Sequence, residues 1–264
     1  MTRKIIEHLS GADPVLGAVI AAAGPFKLGK REERSPFESL ARAVAHQQLH
    51  SRAAEAILGR MLAHCGGFPA ADALLALPDP QLRAMGFSAS KITALKDLAA
   101  KALEGTVPER AGLLDLDDEA IIARLTAVRG IGRWTVEMLL LFELRRPDVM
   151  PVDDFGVRNG FKLAYGLRNM PTPKQLAAYA ARWAPYRSAA AWYLWRAVDL
   201  AKQGTLPAPA EKVRLPRIVK KRKKRAVKAT SSSAASAALR ARAGGRTRAR
   251  PRPAPRSRAP AKKK

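Results

Sequence analysis

The sequence predicts an all-α body followed by a disordered basic tail, and three observations carry that reading. Apolar residues recur at helical spacing through most of the chain, the segments so marked start and stop on helix-capping residues, and no convincing alternating run marks a strand. Charge then separates body from tail. The 264 residues carry 48 Lys and Arg against 22 Asp and Glu, a net +26. From Leu206 onward there are 21 Lys and Arg against one acid, Glu211, a surplus of +20 that leaves +6 for the first 205 residues.

The N-terminal stretch "MTRKIIEHLSGADPVLGAVIAAAG" is apolar but broken by Glu7, His8, Asp13 and Pro14, which makes it a poor signal peptide. No apolar run approaches the ~18 residues that span a bilayer, so an intracellular protein is expected. In "SPFESLARAVAHQQLHSRAAEAILGRML", Phe37, Leu40, Ala41, Val44 and Ala45, then Ala53, Ala54, Ile57, Leu58 and Met61, fall on one face at steps of three and four. Ser35, Pro36 and Glu38 supply a cap, a first-turn proline and a capping-box acid. "SASKITALKDLAAKALEG" repeats the pattern and stops at Gly105, and "DDEAIIARLTAVRG" stops at Gly130. Turns are expected at "GGFPA", "ALPDPQ" and "RNMPTPK". A body of residues 1–206 and a tail of 207–264 follow. The tail lacks aromatic residues and cannot offset an ordering cost of roughly 1–2 kcal/mol per residue.

The most informative stretch is "IIARLTAVRGIGRWTVEMLLLFELRRPDVMPVDDFGVRNGF". Residues 121–128 read as one helix and 134–144 as another. Between them Gly130-Ile131-Gly132 is too short for an ordinary loop, so Ile131 is expected in the core, with the amides of Gly130, Gly132 and Arg133 facing outward. Free amides at the positive end of a helix form an anion site that suits a DNA phosphate. Beyond the second helix stand two adjacent acids, Asp153 and Asp154. A single Cys65 and four scattered His residues give no metal or iron–sulfur spacing, so no metal or redox cofactor is expected.

Hairpin, acid pair and Trp/Tyr-rich helix, in that order, resemble the helix-hairpin-helix (HhH-GPD) DNA glycosylase superfamily. "AVRGIGRWTVEMLLLF", "RRPDVMPVDDFGVRNGF" and "RWAPYRSAAAWYLW" are similar to its 3-methyladenine DNA glycosylase II branch, and the likeness covers roughly Ser35 to Leu200. It implies a two-lobed helical fold with the active-site cleft between lobes, and a base-excision repair enzyme. Such an enzyme flips 3-methyladenine- or 7-methylguanine-type bases out of double-stranded DNA and hydrolyses the N-glycosidic bond.

The resemblance makes Asp154 the catalytic carboxylate, leaving Asp153 to cap the next helix. It places Trp134 and Trp195 in the base pocket, where Phe155 and Tyr193 could join them, and sets Gln47 and Gln48 near the flipped base. Met138 stands where some relatives have an aromatic residue. Phe87, in the tip Gly86-Phe87-Ser88, is the candidate minor-groove wedge. His46 and His50 have no obvious acid partner and are expected to be structural or exposed. Bifunctional relatives carry a lysine at the position of Trp134, and an indole cannot replace that amine, so hydrolysis without strand cleavage is expected.

The basic tail is expected to bind the DNA backbone, the protein to be a monomer, and the enzyme to work where DNA is, in a nucleoid or nucleus. A glycosylase for deaminated or oxidised bases and a non-enzymatic nucleoid protein are the alternatives. Asp154 argues against the second, since an acid facing phosphates would only weaken such binding.

Overall fold

The computed structural model describes residues 2–29 and 33–216, and every element among them is helical. Helices α1 (Thr2–Ala12) and α2 (Pro14–Ala23) meet at Asp13, whose Oδ1 accepts from the amides of Val15 and Leu16 at 3.1 Å. A first lobe follows: α3 (Pro36–His46), α4 (Ser51–Cys65), α5 (Ala71–Ala76), α6 (Asp79–Ala84), α7 (Ala89–Leu103), α8 (Arg110–Leu114) and α9 (Asp118–Leu125). Then α10 (Arg133–Met138) runs directly into a π-helical turn, Leu139–Glu143. The chain closes with α11 (Phe155–Ala164), α12 (Pro173–Ala180), a 3₁₀ turn (Ala181–Trp183) and α13 (Arg187–Lys202).

Local chemistry accounts for the boundaries. Ser35 Oγ accepts from the Glu38 amide at 3.1 Å and Pro36 opens α3, as its spacing predicts. Asp117 caps α9 at the Ala120 amide, 2.7 Å away, so that helix begins earlier and ends earlier than the 121–128 read from periodicity. Residues 126–129 are thereby released into the turn before Gly130.

The helices bury their apolar faces in two separate cores, which gives the two lobes. One gathers Leu40, Val44, Leu58, Leu95, Leu98, Ile121 and Val136 from α3 to α10. The other gathers Leu9, Leu16, Phe161, Tyr179, Trp183 and Leu194 from α1, α2 and α11 to α13. Helices α11 and α13 approach so closely that a Cβ on Gly160 would lie 1.8 Å from the Leu194 carbonyl oxygen. The stretch after α10 serves both lobes, since Leu139 and Leu140 enter the first core and Leu141 the second. A π turn, closed by the Leu144 amide on the Leu139 carbonyl at 3.0 Å, stands here where periodicity alone predicts continuous helix over 134–144.

Two expectations about side chains are corrected. Phe87 is 3 % exposed in the first core, so it is not available as a wedge. Tyr193 is fully buried in the second core, with its hydroxyl donating to the Gly24 carbonyl at 3.1 Å, and so it lines no base pocket. Val213 and Leu215 pack against the second core, so the body continues past residue 206, the boundary read from composition. Most of the expected tail, residues 217–264, lies outside the described residues.

Candidate active site

The hairpin between α9 and α10 follows from its residues. Gly130 has φ +79°, a left-handed conformation that side chains rarely adopt, and this allows the chain to reverse. Ile131 is buried, as expected, with its amide on the Val128 carbonyl at 3.1 Å. Among the described residues the amides of Gly130, Gly132 and Arg133 take no protein acceptor, which leaves them for an anion. The Arg133 side chain is occupied elsewhere, by Glu119 and by Glu137 at 2.9 Å. Its hydrogen bond to Arg133 holds the Glu119 carboxyl below the usual range, whereas burial pushes Glu137 up despite the same guanidinium.

The acid pair sits at the start of α11, and here the division of labour differs from expectation. Asp154, not Asp153, is the helix cap: its Oδ1 accepts from the Val157 amide at 2.7 Å, while Asp153 is exposed. Two indoles complete the surroundings of the same carboxylate. Trp195 Nε1 donates to Oδ1 and Trp134 Nε1 to Oδ2, each at 2.8 Å. Oδ1 thus accepts twice, whereas Oδ2 accepts once among the described residues and keeps lone-pair capacity for another group. Gly156 makes room for this arrangement, because a Cβ there would lie 2.8 Å from Trp195 Cδ1.

Trp134 links the carboxylate to a cavity of about 350 Å³. Its ring is 46 % exposed and forms one wall, facing α3. Gln47, Gln48 and Met138 line the cavity as well, together with Ser39, His46, Thr135, Phe142 and Glu143. Gln47 also donates to the Gly130 carbonyl at 2.8 Å, joining the cavity mouth to the hairpin. Phe142 stacks on Trp195, with centroids 5.7 Å apart, so Trp195 stands behind the wall rather than in it. Phe155 is 67 % exposed beside Asp154 and lies outside the cavity lining. The cavity residues that periodicity could not reveal, Ser39 and Phe142 among them, come from helix faces that read as ordinary amphipathic surface.

A residue pair that sequence spacing hides is His46 with Glu55. His46 Nε2 lies 3.0 Å from Glu55 Oε1, which corrects the expectation that His46 lacks an acid partner. On the solvent side of the same turn, Gln48 has φ +56° and presents Leu49, 40 % exposed.

Residues 41–185 match the model of the HhH-GPD superfamily of base excision DNA repair proteins. The chain belongs to that superfamily. It is similar to the Schizosaccharomyces pombe protein named DNA-3-methyladenine glycosylase 1, at 43 % identity over 74 % of this chain and 86 % of that one. The solved structure of the S. pombe 3-methyladenine DNA glycosylase Mag1 in complex with abasic DNA superposes with a TM-score of 0.69 at 42 % identity, covering 75 % of this chain and 98 % of that chain. A DNA-3-methyladenine glycosidase from Bacillus halodurans also gives 0.69, at 32 % identity, covering 75 % and 91 % of the two chains. The matched residues include the hairpin and the acid pair. Among the described residues no helix is long and apolar enough to cross a membrane.

Proposed function

We propose that this HhH-GPD protein is a monofunctional DNA glycosylase that excises alkylated purines of the 3-methyladenine and 7-methylguanine type from duplex DNA and leaves an abasic site. The observation that carries the reading is the Asp154 carboxylate, held by three N–H donors next to an aromatic-walled cavity and following a phosphate-type hairpin. The names of its relatives point the same way.

Rupture of the N-glycosidic bond leaves positive charge on the sugar, and a fixed carboxylate stabilises it without having to reorganise. Oδ2, with its unused lone pair, is the oxygen suited to that charge or to the incoming water. An alkylated purine is already cationic and departs as a neutral base, so one acid suffices. It also suits the Trp134 face, where cation–π attraction is worth roughly 0.5–2 kcal/mol. With an indole at position 134 no amine is offered there for a Schiff base, hence hydrolysis only. Leu49, exposed on the left-handed turn beside the cavity mouth, takes the wedge role that buried Phe87 cannot fill. The basic segment from 217 onward adds salt-sensitive affinity for the DNA backbone, and one hairpin with one pocket suffices for a monomer acting at chromosomal DNA.

Incubation with methylated duplex DNA, followed by chromatography of released bases, tests the reading. Asp154→Asn is expected to reduce release by at least about a hundredfold while DNA binding is retained or tightened. Full activity in that variant would overturn the mechanism.

A further inference from the structure

Two polar atoms of the cavity play no part in the mechanism above. Ser39 Oγ on α3 and Glu143 Oε2 at the end of the π turn are buried, and neither takes a hydrogen bond among the described residues. Folded proteins seldom leave such atoms unmatched, and at a functional cavity a ligand is what matches them. Their depth follows from how the two walls run. Gln47, just past the end of α3, bonds to the Gly130 carbonyl ahead of α10, so these ends meet at the mouth beside Trp134. Arg110 donates to the carbonyls of Arg34, ahead of α3, at 3.4 Å and of Glu143 at 2.7 Å, so the opposite ends meet as well. The walls are therefore antiparallel, with Ser39 and Glu143 at the floor. Seven helical residues separate Ser39 from His46 near the mouth, a rise of roughly 10 Å.

A purine whose sugar lies at Asp154, which the Trp134 indole ties to the mouth at 2.8 Å, points its far edge toward that floor. This is the edge that pairs with the opposite base in a duplex. We propose that Glu143, assisted by Ser39, reads this edge and raises excision of 7-methylguanine relative to 3-methyladenine. The proposal rests on the glycosylase reading and names the residue that ranks its substrates. Donor patterns supply the reason. 7-Methylguanine presents two adjacent donors there, N1–H and the exocyclic amine, and a carboxylate, which only accepts, matches such a pair. 3-Methyladenine presents one donor, its N6 amine, beside the lone pair of N1, which a carboxylate oxygen repels. Both bases are cationic, so attraction to the acid is common to them and the donor pattern discriminates. A site built to bond a substrate N–H rejects an analogue lacking it far more strongly than an apolar wall does.

The neighbours of Glu143 hold it without using up its oxygens. The Arg110 guanidinium lies 3.5 Å from Oε2, close enough to attract the carboxylate but not hydrogen-bonded to it, while its bond to the Glu143 carbonyl fixes the backbone. Among the residues lining the cavity Glu143 is the one acid, and His46 engages Glu55 at the other end. The Ser39 hydroxyl both donates and accepts, so it serves either base and leaves the choice to Glu143.

The test is single-turnover release of 7-methylguanine and of 3-methyladenine from one methylated duplex, using the full chain, Glu143→Gln and Glu143→Ala, with each rate taken relative to spontaneous loss of the same base. Glu143→Gln keeps the size of the side chain but offers one acceptor and one donor, the complement of the adenine edge. It should lower the 7-methylguanine to 3-methyladenine ratio about a hundredfold, with release of 3-methyladenine kept or increased. Glu143→Ala should lower the ratio less, because it removes one match without creating the other. Release of 3-methyladenine in the same samples reports that each variant is folded, and should one lose its fold the other reads the same ratio. Equal loss on both bases in a variant that keeps its unfolding transition, or an unchanged ratio, would overturn the proposal and leave Glu143 as a brace for Arg110. Failure of the unaltered chain to release either base would overturn the glycosylase reading itself, and this proposal with it.

Discussion

At Asp154 one side chain performs two tasks that the sequence suggests dividing between neighbours. Capping fixes Oδ1 and so fixes the direction of Oδ2, and the two indoles finish the alignment. The tryptophans can be recognised in the sequence as pocket candidates because large aromatic residues follow a hairpin and an acid pair. Their N–H groups as the grip on the carboxylate cannot, because spacing says nothing about ring orientation. Trp134→Phe separates the two roles, since it keeps an aromatic wall and removes a donor. We expect its turnover on methylated DNA to fall about 10- to 100-fold with little change in KM. Unaltered turnover would assign Trp134 to stacking alone. The same blindness to orientation hides the His46–Glu55 pair, whose members lie on different helices.

Helices were readable because caps and apolar spacing agree in α3, α7 and α9, each of which starts on a bonded Ser or Asp side chain. Phe87 was misleading for a physical reason: a residue at a turn tip next to a glycine looks exposed, yet here the tip folds back and the ring fills the first core. Contact between elements is the other thing a single sequence conceals. Gly160 could pass for a helix-weakening residue in α11, but it is the point where α13 comes nearest. Gly160→Ala should drive a methyl group into the Leu194 carbonyl and cost about 3 kcal/mol or more, read as a lowered thermal midpoint. A midpoint within error of the parent would show that the two helices can separate freely.

Across the whole molecule, the N-terminal helices are tied to the second lobe by one buried acid. Asp13 Oδ2 accepts from the Tyr165 hydroxyl at 2.6 Å and from Trp183 Nε1 at 3.1 Å, linking residues more than 150 positions apart. Asp13→Ala would strand those donors and remove the α2 cap, a loss of about 3 kcal/mol or more in denaturant unfolding. Burial, and then the Asp13 charge, raise Tyr165 well above its ordinary range, and Tyr179 is raised for the same reasons. Folded tyrosines therefore hold their protons more tightly than unfolded ones. Their contribution is whole below about pH 10 and is lost as pH climbs toward the higher folded values. Thermal midpoints should decline above about pH 10, and Tyr165→Phe, with no proton to lose, should flatten part of that decline. A midpoint indifferent to pH in this range would remove the cluster from the alkaline response. The π turn sets a different kind of limit on the molecule. Deleting one residue from Leu139–Glu143 would remove the extra residue that the wide turn accommodates and change which side chains fall on the cavity and in the second core, where Phe142 and Leu141 now sit. Descendants of this chain can therefore exchange one leucine for another apolar residue here, whereas a gained or lost codon would disturb cavity and core together.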